Sequence, residues 1–438
     1  MRRALTTGLL AALLAFAAAP AQAAVPPGAD RVTALPTLGP VSEPLFAGYA
    51  SAGPTPCADL ACSERPGLFY GLAARDGAAD YRKEPTVLWS NGGPGASSFY
   101  GFLTENGPYA LDASNQLAPY PGSWTTVANY LFFDHPLGVG MSFPFEGEIA
   151  KNPQQGNRQL ANALDHVVQR DGLEDSPLFL AGESYGGTYM PLLARRLLKS
   201  HPDVELGGVV LVAGWVDPPR QVGTTARYAL THGLIDAAEK QRLDKVYARC
   251  RTLLRKDGRA LRAAEVCQSI QDKIAKWSGR YLANIAQSGD IDYDPTAAYL
   301  NRPDVRAALH ARAGGSFEFG SDPVYKNYAA DVMRSRLGVV AELLDRGVPV
   351  MVISGLNDGK DTNVLGARKW ISKLEWRGRK RFTGAQRNQW KPTGSVLGYR
   401  RNGGGLTTLD VLGAGHLAPR DEPLIAAALE RFMAAADR

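Results

Sequence analysis

Residues 178–187 have the sequence Leu-Phe-Leu-Ala-Gly-Glu-Ser-Tyr-Gly-Gly, which is the strongest indication of the fold class. Its first four residues predict a buried strand, and the stretch 189–198 after the glycines has the pattern of a helix. A serine between a strand and a helix is typical of a nucleophile elbow, where a sharp turn lifts the hydroxyl clear of the backbone. Glycines suit this turn because a Cβ would clash where the chain reverses. Ser184 is therefore the first candidate nucleophile.

A serine nucleophile also needs a base and an orienting acid, which follow it along the chain in the order acid, histidine in α/β-hydrolases. His416 is the only one of the six histidines late enough for this order. Asp358 follows the strand-like run 348–354, and Asp361 is a close competitor. Either aspartate also suits an Asx turn or a helix N-cap. The position directly after the strand-like run favours Asp358.

The reaction further needs two backbone donors for the developing oxyanion. The amide of Tyr185, directly after the nucleophile, is one candidate. The other is Gly93, in the glycine-rich turn 91–95 that follows the strand-like run 87–89. An ordinary Gly-Pro turn is the competing interpretation of this segment.

Short apolar runs bounded by Gly, Pro or Asp alternate with helical stretches over much of the chain. This pattern predicts an α/β fold with a mostly parallel central sheet and helices on both faces. The runs are 87–89, 127–133, 178–181, 209–213 and 348–354. The runs 395–400 and 406–412, separated by glycines, predict a hairpin beside the last strand.

The stretch 217–321 lacks a strong strand pattern and contains the amphipathic segments 237–254 and 260–276. We interpret it as a helical cap inserted between two halves of an α/β-hydrolase core, 24–216 and 322–438.

The amino terminus has the pattern of a secretory signal over residues 1–23. Two arginines follow Met1, an apolar stretch covers 4–19, and Ala-Gln-Ala at 21–23 predicts cleavage before Ala24. A membrane anchor is the alternative, but the apolar run is shorter than the roughly 20 residues a spanning helix needs. We expect an exported protein, periplasmic or extracellular, without a stable membrane anchor.

Export permits disulfides, and the chain has four cysteines. Of three possible pairings, spacing favours Cys57 with Cys62 and Cys250 with Cys267. A zinc site is the competing interpretation, but no histidine stands at ligand spacing beside these cysteines. We expect neither a metal nor an organic cofactor.

The net charge of +6 is modest for 438 residues. Basic residues concentrate in 240–273 and 368–401, where they alternate with apolar residues or with Trp and Gly. We interpret both stretches as solvated faces rather than nucleic-acid sites.

Six segments, in order, resemble the serine carboxypeptidase family over most of the mature chain. They begin with Trp-Ser-Asn-Gly-Gly-Pro-Gly at 89–95 and Gly-Glu-Ser-Tyr-Gly-Gly at 182–187. The others are 129–143, 232–236, 299–310 and 415–419. The resemblance implies Ser184, Asp358 and His416 as the triad, with the amides of Gly93 and Tyr185 as the oxyanion hole.

The resemblance further implies peptide substrates with a free C-terminal carboxylate. Asn91, the Gly92 amide and Glu183 would bind that carboxylate, with Trp89 nearby. For Glu183 to donate a hydrogen bond to a carboxylate, one of the two groups must carry a proton, which favours mild acid. A salt-bridged structural acid is the alternative role for Glu183.

The chain departs from the family pattern at several positions. Ala96 stands where the family has Cys, Ala213 where it has Asn, and His135 where it has Gln. The family's Gly-Asp-x-Asp reads Gly-Leu-Asn-Asp at 355–358, and the spacing from Asp358 to Asn363 is one residue longer. The longer spacing keeps Asp361 open as the triad acid.

Carboxypeptidase activity through a Ser184 acyl-enzyme is the leading hypothesis. An acyltransferase or esterase using the same triad is the first alternative, since an alcohol can intercept an acyl-enzyme. A binding protein on a hydrolase scaffold is the second, because a fold does not fix a function.

Overall fold

The apolar runs of the sequence form one mixed sheet of eleven strands. The structure is a computed structural model, and it describes residues 30–53, 67–143, 149–201, 204–256 and 260–436. The predicted signal sequence 1–23 and the predicted Cys57–Cys62 bond lie outside these residues. The strands are β1 (Arg31–Leu35), β2 (Gly39–Ser51), β3 (Gly67–Ala73), β4 (Thr86–Ser90), β5 (Tyr109–Leu111), β6 (Leu117–Pro119), β7 (Asn129–Phe133), β8 (Leu178–Glu183), β9 (Leu206–Val212), β10 (Val350–Gly355), β11 (Asn388–Trp390), β12 (Gly398–Gly403) and β13 (Leu406–Val411).

Helices lie between and after these strands. In the part of the chain that the structure describes they are α1 (Phe99–Thr104), α2 (Pro153–Asp171), α3 (Gly186–Ser200), α4 (Pro218–Thr231), α5 (Ala237–Leu254), α6 (Ala260–Ser278), α7 (Asp294–Leu300), α8 (Pro303–Ala308), α9 (Asp322–Tyr328), α10 (Leu337–Asp345), α11 (Val364–Ile371), α12 (Arg379–Gly384), α13 (Ala418–Asp421) and α14 (Ile425–Ala436).

The large sheet has the strand order β1-β2-β3-β7-β4-β8-β9-β10-β13-β12-β11, while β5 and β6 form a separate pair. The six central strands, β7-β4-β8-β9-β10-β13 in sheet order, are mutually parallel. Antiparallel strands extend both edges, with β1–β3 at one and β12–β11 at the other. The predicted parallel sheet is confirmed at the centre, and the N-terminal antiparallel edge is an addition that the apolar runs did not predict.

The central strands are buried on both faces, as parallel strands covered by helices must be. Every residue of β4, β7, β8 and β10 is buried. Successive side chains enter different cores: Leu88 belongs to the core that includes residues of α2 and α3, whereas Trp89 belongs to the core that includes Phe99 of α1 and Phe432 of α14. The two helical layers therefore fix both faces of the strands that carry the site.

Between β9 and β10 the described chain is helical, from α4 to α10. This confirms the helical insertion, and α5 matches the predicted segment 237–254. Helix α5 begins with a capping box in which Asp236 and Glu239 each accept a backbone N–H of the other. The boundaries at 217 and 321 stay a prediction, because α9 and α10 follow residue 321 before β10 begins.

The predicted hairpin is present as β12 and β13, with Gly403 paired to Leu406. Gly404 and Gly405 have φ of 59° and 85°, a left-handed backbone that glycine adopts at little cost.

No described helix combines the length and apolar character that crossing a bilayer requires.

The predicted Cys250–Cys267 bond joins α5 to α6, and both cysteines are buried. It closes a loop with a sequence separation of 17. A cross-link over a loop of this size restricts the unfolded chain, so the bond stabilises the cap.

Replacing both Cys250 and Cys267 by Ala should lower the free energy of unfolding by about 3 kcal/mol, because the unfolded chain regains its freedom. Urea denaturation of oxidised wild type, reduced wild type and the double variant measures this. Reduced wild type, which also loses the predicted Cys57–Cys62 bond, is the control and should be at least as destabilised as the double variant. Equal midpoints for all three would show that the bond contributes nothing.

Candidate active site

Ser184 stands at the apex of the turn between β8 and α3. Its φ of 55° places it in the left-handed region that non-glycine residues rarely adopt. The Ser184 amide donates to the Val212 carbonyl at 3.0 Å, and the Ser184 carbonyl accepts from the Trp215 amide at 2.7 Å. A Cβ on Gly182 would lie 2.5 Å from the Gly186 carbonyl oxygen. The glycines are thus required by the tightness of the turn.

The loop 91–95 after β4 lies directly against this elbow. A Cβ on Gly92 would be 2.4 Å from the Tyr185 amide nitrogen and 2.9 Å from Ser184 Cβ. Gly93 has φ of 101° and lines the same cavity as Ser184. The structure therefore places Gly93 and Tyr185, which carry the two predicted oxyanion donors, beside Ser184 in one lining.

His416 and Asp358 meet at the ends of β13 and β10. Asp358 Oδ2 lies 3.1 Å from His416 Nδ1 and accepts from Thr362 Oγ1 at 2.8 Å. Asp358 Oδ1 accepts from the Lys360 amide at 2.9 Å. Both members of the pair are buried. An imidazole that donates from Nδ1 to Asp358 leaves Nε2 free to accept a proton.

Burial lowers the pKa of His416, and the nearby Lys360 ammonium lowers it further, against the opposing effect of Asp358. The imidazole is therefore neutral at neutral pH, the form that a general base requires.

The backbone of the competing acid, Asp361, contacts helix α6. Its amide donates to Gln271 Oε1 on α6 at 3.3 Å. Burial raises the pKa of Asp361 to about 7. Asp358, and not Asp361, is thus the carboxylate in contact with His416. At the end of this loop Asn363 caps α11 by accepting from the Gly366 amide at 3.1 Å.

A short segment of the cap, residues 282–285, binds the loops that carry Asp358 and His416. The Leu282 carbonyl accepts from the Gly359 amide at 2.8 Å, and the Ile285 amide donates to the Asn357 carbonyl at 3.0 Å. On the other side the Ala283 carbonyl accepts from the His416 amide at 2.6 Å. The cap segment therefore ties the acid loop to the histidine loop.

Ser184 and His416 both line a cavity of about 510 Å³. Helix α6 and the segment after it form its outer wall. Its further lining residues are Asn91, Gly92, Gly93, Ala96, Tyr100, Glu105, Glu183, Gln271, Asp272, Ala275, Arg280, Tyr281, Leu282, Ala283, Asp290, Tyr293, Lys360 and Leu417.

A second, smaller lobe of about 260 Å³ also reaches Ser184. It is lined by Tyr185 and Trp215 beside the elbow, by Val332, whose carbonyl accepts from Trp215 Nε1 at 2.7 Å, and by Tyr325 of α9. The two lobes share Gly93, Ser184, Gln271, Asp272 and Lys360. The nucleophile thus stands where two separate spaces meet.

Two carboxyl groups, Glu183 and Glu105, are buried together in the larger lobe. Asn91 joins them, since its Nδ2 donates to Glu105 Oε1 at 2.9 Å and to Glu183 Oε1 at 3.4 Å. The orientation of this amide is fixed because Asn91 Oδ1 accepts from Trp89 Nε1 at 2.7 Å and from the Gly101 amide at 2.9 Å.

Burial raises the pKa of Glu105, and burial together with the Glu105 charge raises that of Glu183 well above its usual range. Two buried carboxylates in contact resist double ionisation, so the pair retains a proton. The retained proton makes the pair a hydrogen-bond donor as well as an acceptor.

Sequence reasoning missed Glu105, Thr362 and Lys360. Glu105 had a usable signal, since it is the only acid in the otherwise apolar and polar-neutral stretch 99–111. A lone acid inside such a stretch is typical of a buried, partnered group. Thr362 and Lys360 carried no comparable signal, because their roles arise from the longer loop after β10.

The departures at Ala213 and His135 have structural correlates. Ala213 has φ of 44°, a left-handed backbone that Asn tolerates better than Ala. His135 is buried edge-on against Tyr189, with ring centroids 4.9 Å apart, and does not line either lobe. Burial lowers the pKa of His135 to about 3, so its ring is a neutral packing element.

The sheet, the elbow and the insertion define the class of protein: the chain is an α/β-hydrolase. Its fold is similar to the crystal structure of a prohormone-processing carboxypeptidase from Saccharomyces cerevisiae, with a TM-score of 0.78 and 22% identity over 90% of this chain and 91% of that one.

The family follows from the sequence comparison. A family model described as serine carboxypeptidase matches residues 40–434. Serine carboxypeptidase-like 50 of Arabidopsis thaliana is 31% identical over 389 residues, covering 86% of both chains. Serine carboxypeptidase-like 47 of the same plant is 32% identical over 86% of this chain and 76% of its own. The chain belongs to the serine carboxypeptidase family.

The buried carboxyl pair predicts a pH effect on stability. Because its pKa values are raised above the ordinary 4.5, the folded protein keeps protons that the unfolded chain releases. The free energy of unfolding therefore falls as pH rises from about 4.5 towards the pKa values of the folded pair. Glu105→Gln removes one charge and should reduce the loss between pH 5 and pH 8 by more than about 1 kcal/mol.

Urea denaturation at the two pH values measures this difference. Glu430→Gln, at an exposed position of α14, is the matched control and should behave as wild type. An equal loss in wild type and Glu105→Gln would mean that the pair is not protonated in the folded state.

Proposed function

We propose that this protein is an exported serine carboxypeptidase that releases C-terminal residues from peptides through a Ser184 acyl-enzyme. The observation that carries the proposal is the buried pair of Glu105 and Glu183, which lies in the same lobe as Ser184 and His416. A nucleophile alone fits many hydrolases. A proton-sharing carboxyl pair beside it fits a substrate that ends in a carboxylate.

In the proposed reaction Ser184 Oγ attacks the scissile carbonyl carbon while His416 Nε2 takes the hydroxyl proton. Asp358 holds Nδ1–H and stabilises the imidazolium that forms. The Gly93 and Tyr185 amides donate to the oxyanion. His416 then gives its proton to the departing amino group as the peptide C–N bond breaks. Water then attacks the ester carbonyl while His416 takes one of its protons. The bond to Ser184 Oγ breaks, His416 returns the proton to Oγ, and the shortened peptide leaves with a new C-terminal carboxylate.

The terminal carboxylate would be held by protonated Glu183, by Asn91 Nδ2 and by the Gly92 amide. Trp89 acts through Asn91, whose amide it orients. When both carboxyl groups ionise, the donor is lost and a negative charge faces the substrate. Peptidase activity should therefore be greater in mild acid.

The position of the pair supports one assignment of the two lobes. The carboxylate lies on the leaving residue, so this residue would occupy the lobe of about 510 Å³. The residue that forms the acyl-enzyme would occupy the lobe of about 260 Å³, between Trp215 and Tyr325. The smaller lobe then limits the size of the penultimate side chain.

Export rests on two features of the chain. The first is the signal pattern over residues 1–23. The second is the buried Cys250–Cys267 bond, since disulfides form and persist in oxidising compartments. Both support a periplasmic or extracellular location.

Ser184→Ala should abolish turnover of blocked dipeptides, because no nucleophile remains to form the acyl-enzyme. Asp358→Asn should lower kcat about a thousandfold or more, since His416 would lose its orienting acceptor. Asp361→Asn, three residues away, is the matched control and should lower kcat less than tenfold. Steady-state kinetics measures all three. Undiminished hydrolysis by Ser184→Ala, or a larger loss from Asp361→Asn than from Asp358→Asn, would contradict the assignment.

The kcat/KM of wild type for blocked dipeptides with a free carboxylate should fall as pH rises from 5 to 8. Their C-terminal amides should show no such fall, because they do not need the proton on Glu183. Glu183→Gln should flatten the profile for the free acids, since an amide donates hydrogen bonds at every pH.

The same assay separates substrate class from catalytic machinery. If amides or esters react as well as free acids at neutral pH, the triad stands, but the enzyme is an esterase or acyltransferase. Such a result would remove the assigned role of the carboxyl pair.

A further inference from the structure

A second large cavity lies outside the active site, against the hairpin. Its floor is one face of the sheet, where Val352 and Ser354 of β10 stand beside Thr408 and Asp410 of β13 in parallel register. Its volume is about 580 Å³, and none of its lining residues lines either lobe at Ser184. We call it the arginine cleft. Its other lining residues are Ala367, Arg368, Ile371, Ser372, Trp376, Arg379, Phe382, Thr383, Arg387 and Arg401.

The walls of the arginine cleft are apolar. Ile371 comes from α11, Phe382 from α12 and Trp376 from the segment between these helices. Trp376 and Phe382 are buried and in contact, with ring centroids 5.9 Å apart. A ligand in this space would therefore contact aromatic surface on one side and the sheet on the other.

The rim is strongly basic. Asp410 Oδ2 accepts from Arg368 at 2.7 Å and from Arg387 at 3.0 Å, so two guanidinium groups share one carboxylate oxygen. Arg379 pairs with Glu375 at 2.9 Å. Four guanidinium groups thus face two carboxylates, and positive charge remains at the cleft.

Arg401 is the arginine without a carboxylate partner. Among the described residues no carboxylate lies within 4.0 Å of it, and its guanidinium lies 5.6 Å from the centroid of the Phe382 ring. A guanidinium offers a fork of donors that matches a carboxylate, sulfonate or phosphate. The Arg401 guanidinium lies between the Phe382 ring and the open space of the cleft.

We propose that the arginine cleft binds a small organic anion with an apolar body. Arg401, with the Arg368 and Arg387 pair, binds the acidic group, and Trp376 and Phe382 pack on the body. The volume lies within the range of small-molecule sites, which are mostly apolar with a few polar groups that fix orientation. The sequence had suggested an ordinary solvated face for 368–401, whereas four of its arginines converge on one concave space.

The probe for this proposal is naphthalene-2-sulfonate, which joins one anionic group to an aromatic body. Isothermal titration calorimetry with the Ser184→Ala protein keeps the measurement independent of turnover and therefore of the proposed function. The probe should bind at one site, and the uncharged 2-naphthalenemethanol should bind at least tenfold more weakly. Raising the salt concentration should weaken the binding of the sulfonate, because the rim is solvent-accessible.

Two variants locate the binding. Arg401→Gln removes the unpaired guanidinium and should weaken the sulfonate about tenfold, the value of one charge-assisted hydrogen bond. Thr383→Trp places a large side chain into the cleft from an exposed position and should remove binding. Arg381→Gln, an equal charge change on an exposed position of α12 outside the cleft, is the control and should bind as the parent does.

Unfolding midpoints in urea equal to that of the parent show that each variant folds. Equal affinity for the sulfonate and the uncharged alcohol would overturn the proposal. Unchanged affinity in both Arg401→Gln and Thr383→Trp would also overturn it, since the probe would then bind elsewhere.

Discussion

The site depends on one close contact between two backbone turns. The loop after β4 touches the elbow after β8 where Gly92 meets the Tyr185 amide, and no side chain fits between them. These strands are parallel neighbours, so their carboxyl ends open at the same edge of the sheet. One contact therefore sets the distances among Ser184, the amides of Gly93 and Tyr185, Asn91 and Glu183. A methyl group at Gly92 would separate all of them at once.

Desolvation then prepares the chemistry in two opposite ways. It lowers the pKa of His416, which keeps the imidazole able to accept a proton, and it raises the pKa of Glu183, which keeps the carboxyl able to donate one. Lys360 lowers the pKa of both groups, because a nearby cation disfavours an imidazolium and favours a carboxylate. A base and an acid thus coexist in one cavity because burial disfavours charge on either.

Local pattern was sufficient to predict the elements whose side chains follow a clear period. Strand β8, helix α5 and the hairpin of β12 and β13 were predicted close to their bounds, and the elbow made Ser184 recognisable from sequence. The edge strands β1–β3 were missed. In β2, apolar and polar residues alternate only weakly, and the first half of the strand is partly exposed to solvent. Glu105 was missed because its partner, Glu183, is distant in sequence, and only the fold brings the two together. Likewise, the contact that singles out Asp358 depends on a loop conformation that spacing cannot specify.

The cap segment 282–285 carries a consequence for how this enzyme can change. It binds by backbone groups to the loops of both Asp358 and His416, while the helix before it, α6, forms a wall of the substrate cavity. Under the proposed mechanism, substrate preference and the alignment of Asp358 with His416 therefore depend on one piece of chain. A cap could be exchanged between relatives to alter substrate preference. The new cap must then place this segment in the same register, because the His416 loop would otherwise lose its hydrogen bond to the cap. The cap is an insertion in the sequence, but it cannot evolve independently of the core to which it is hydrogen-bonded.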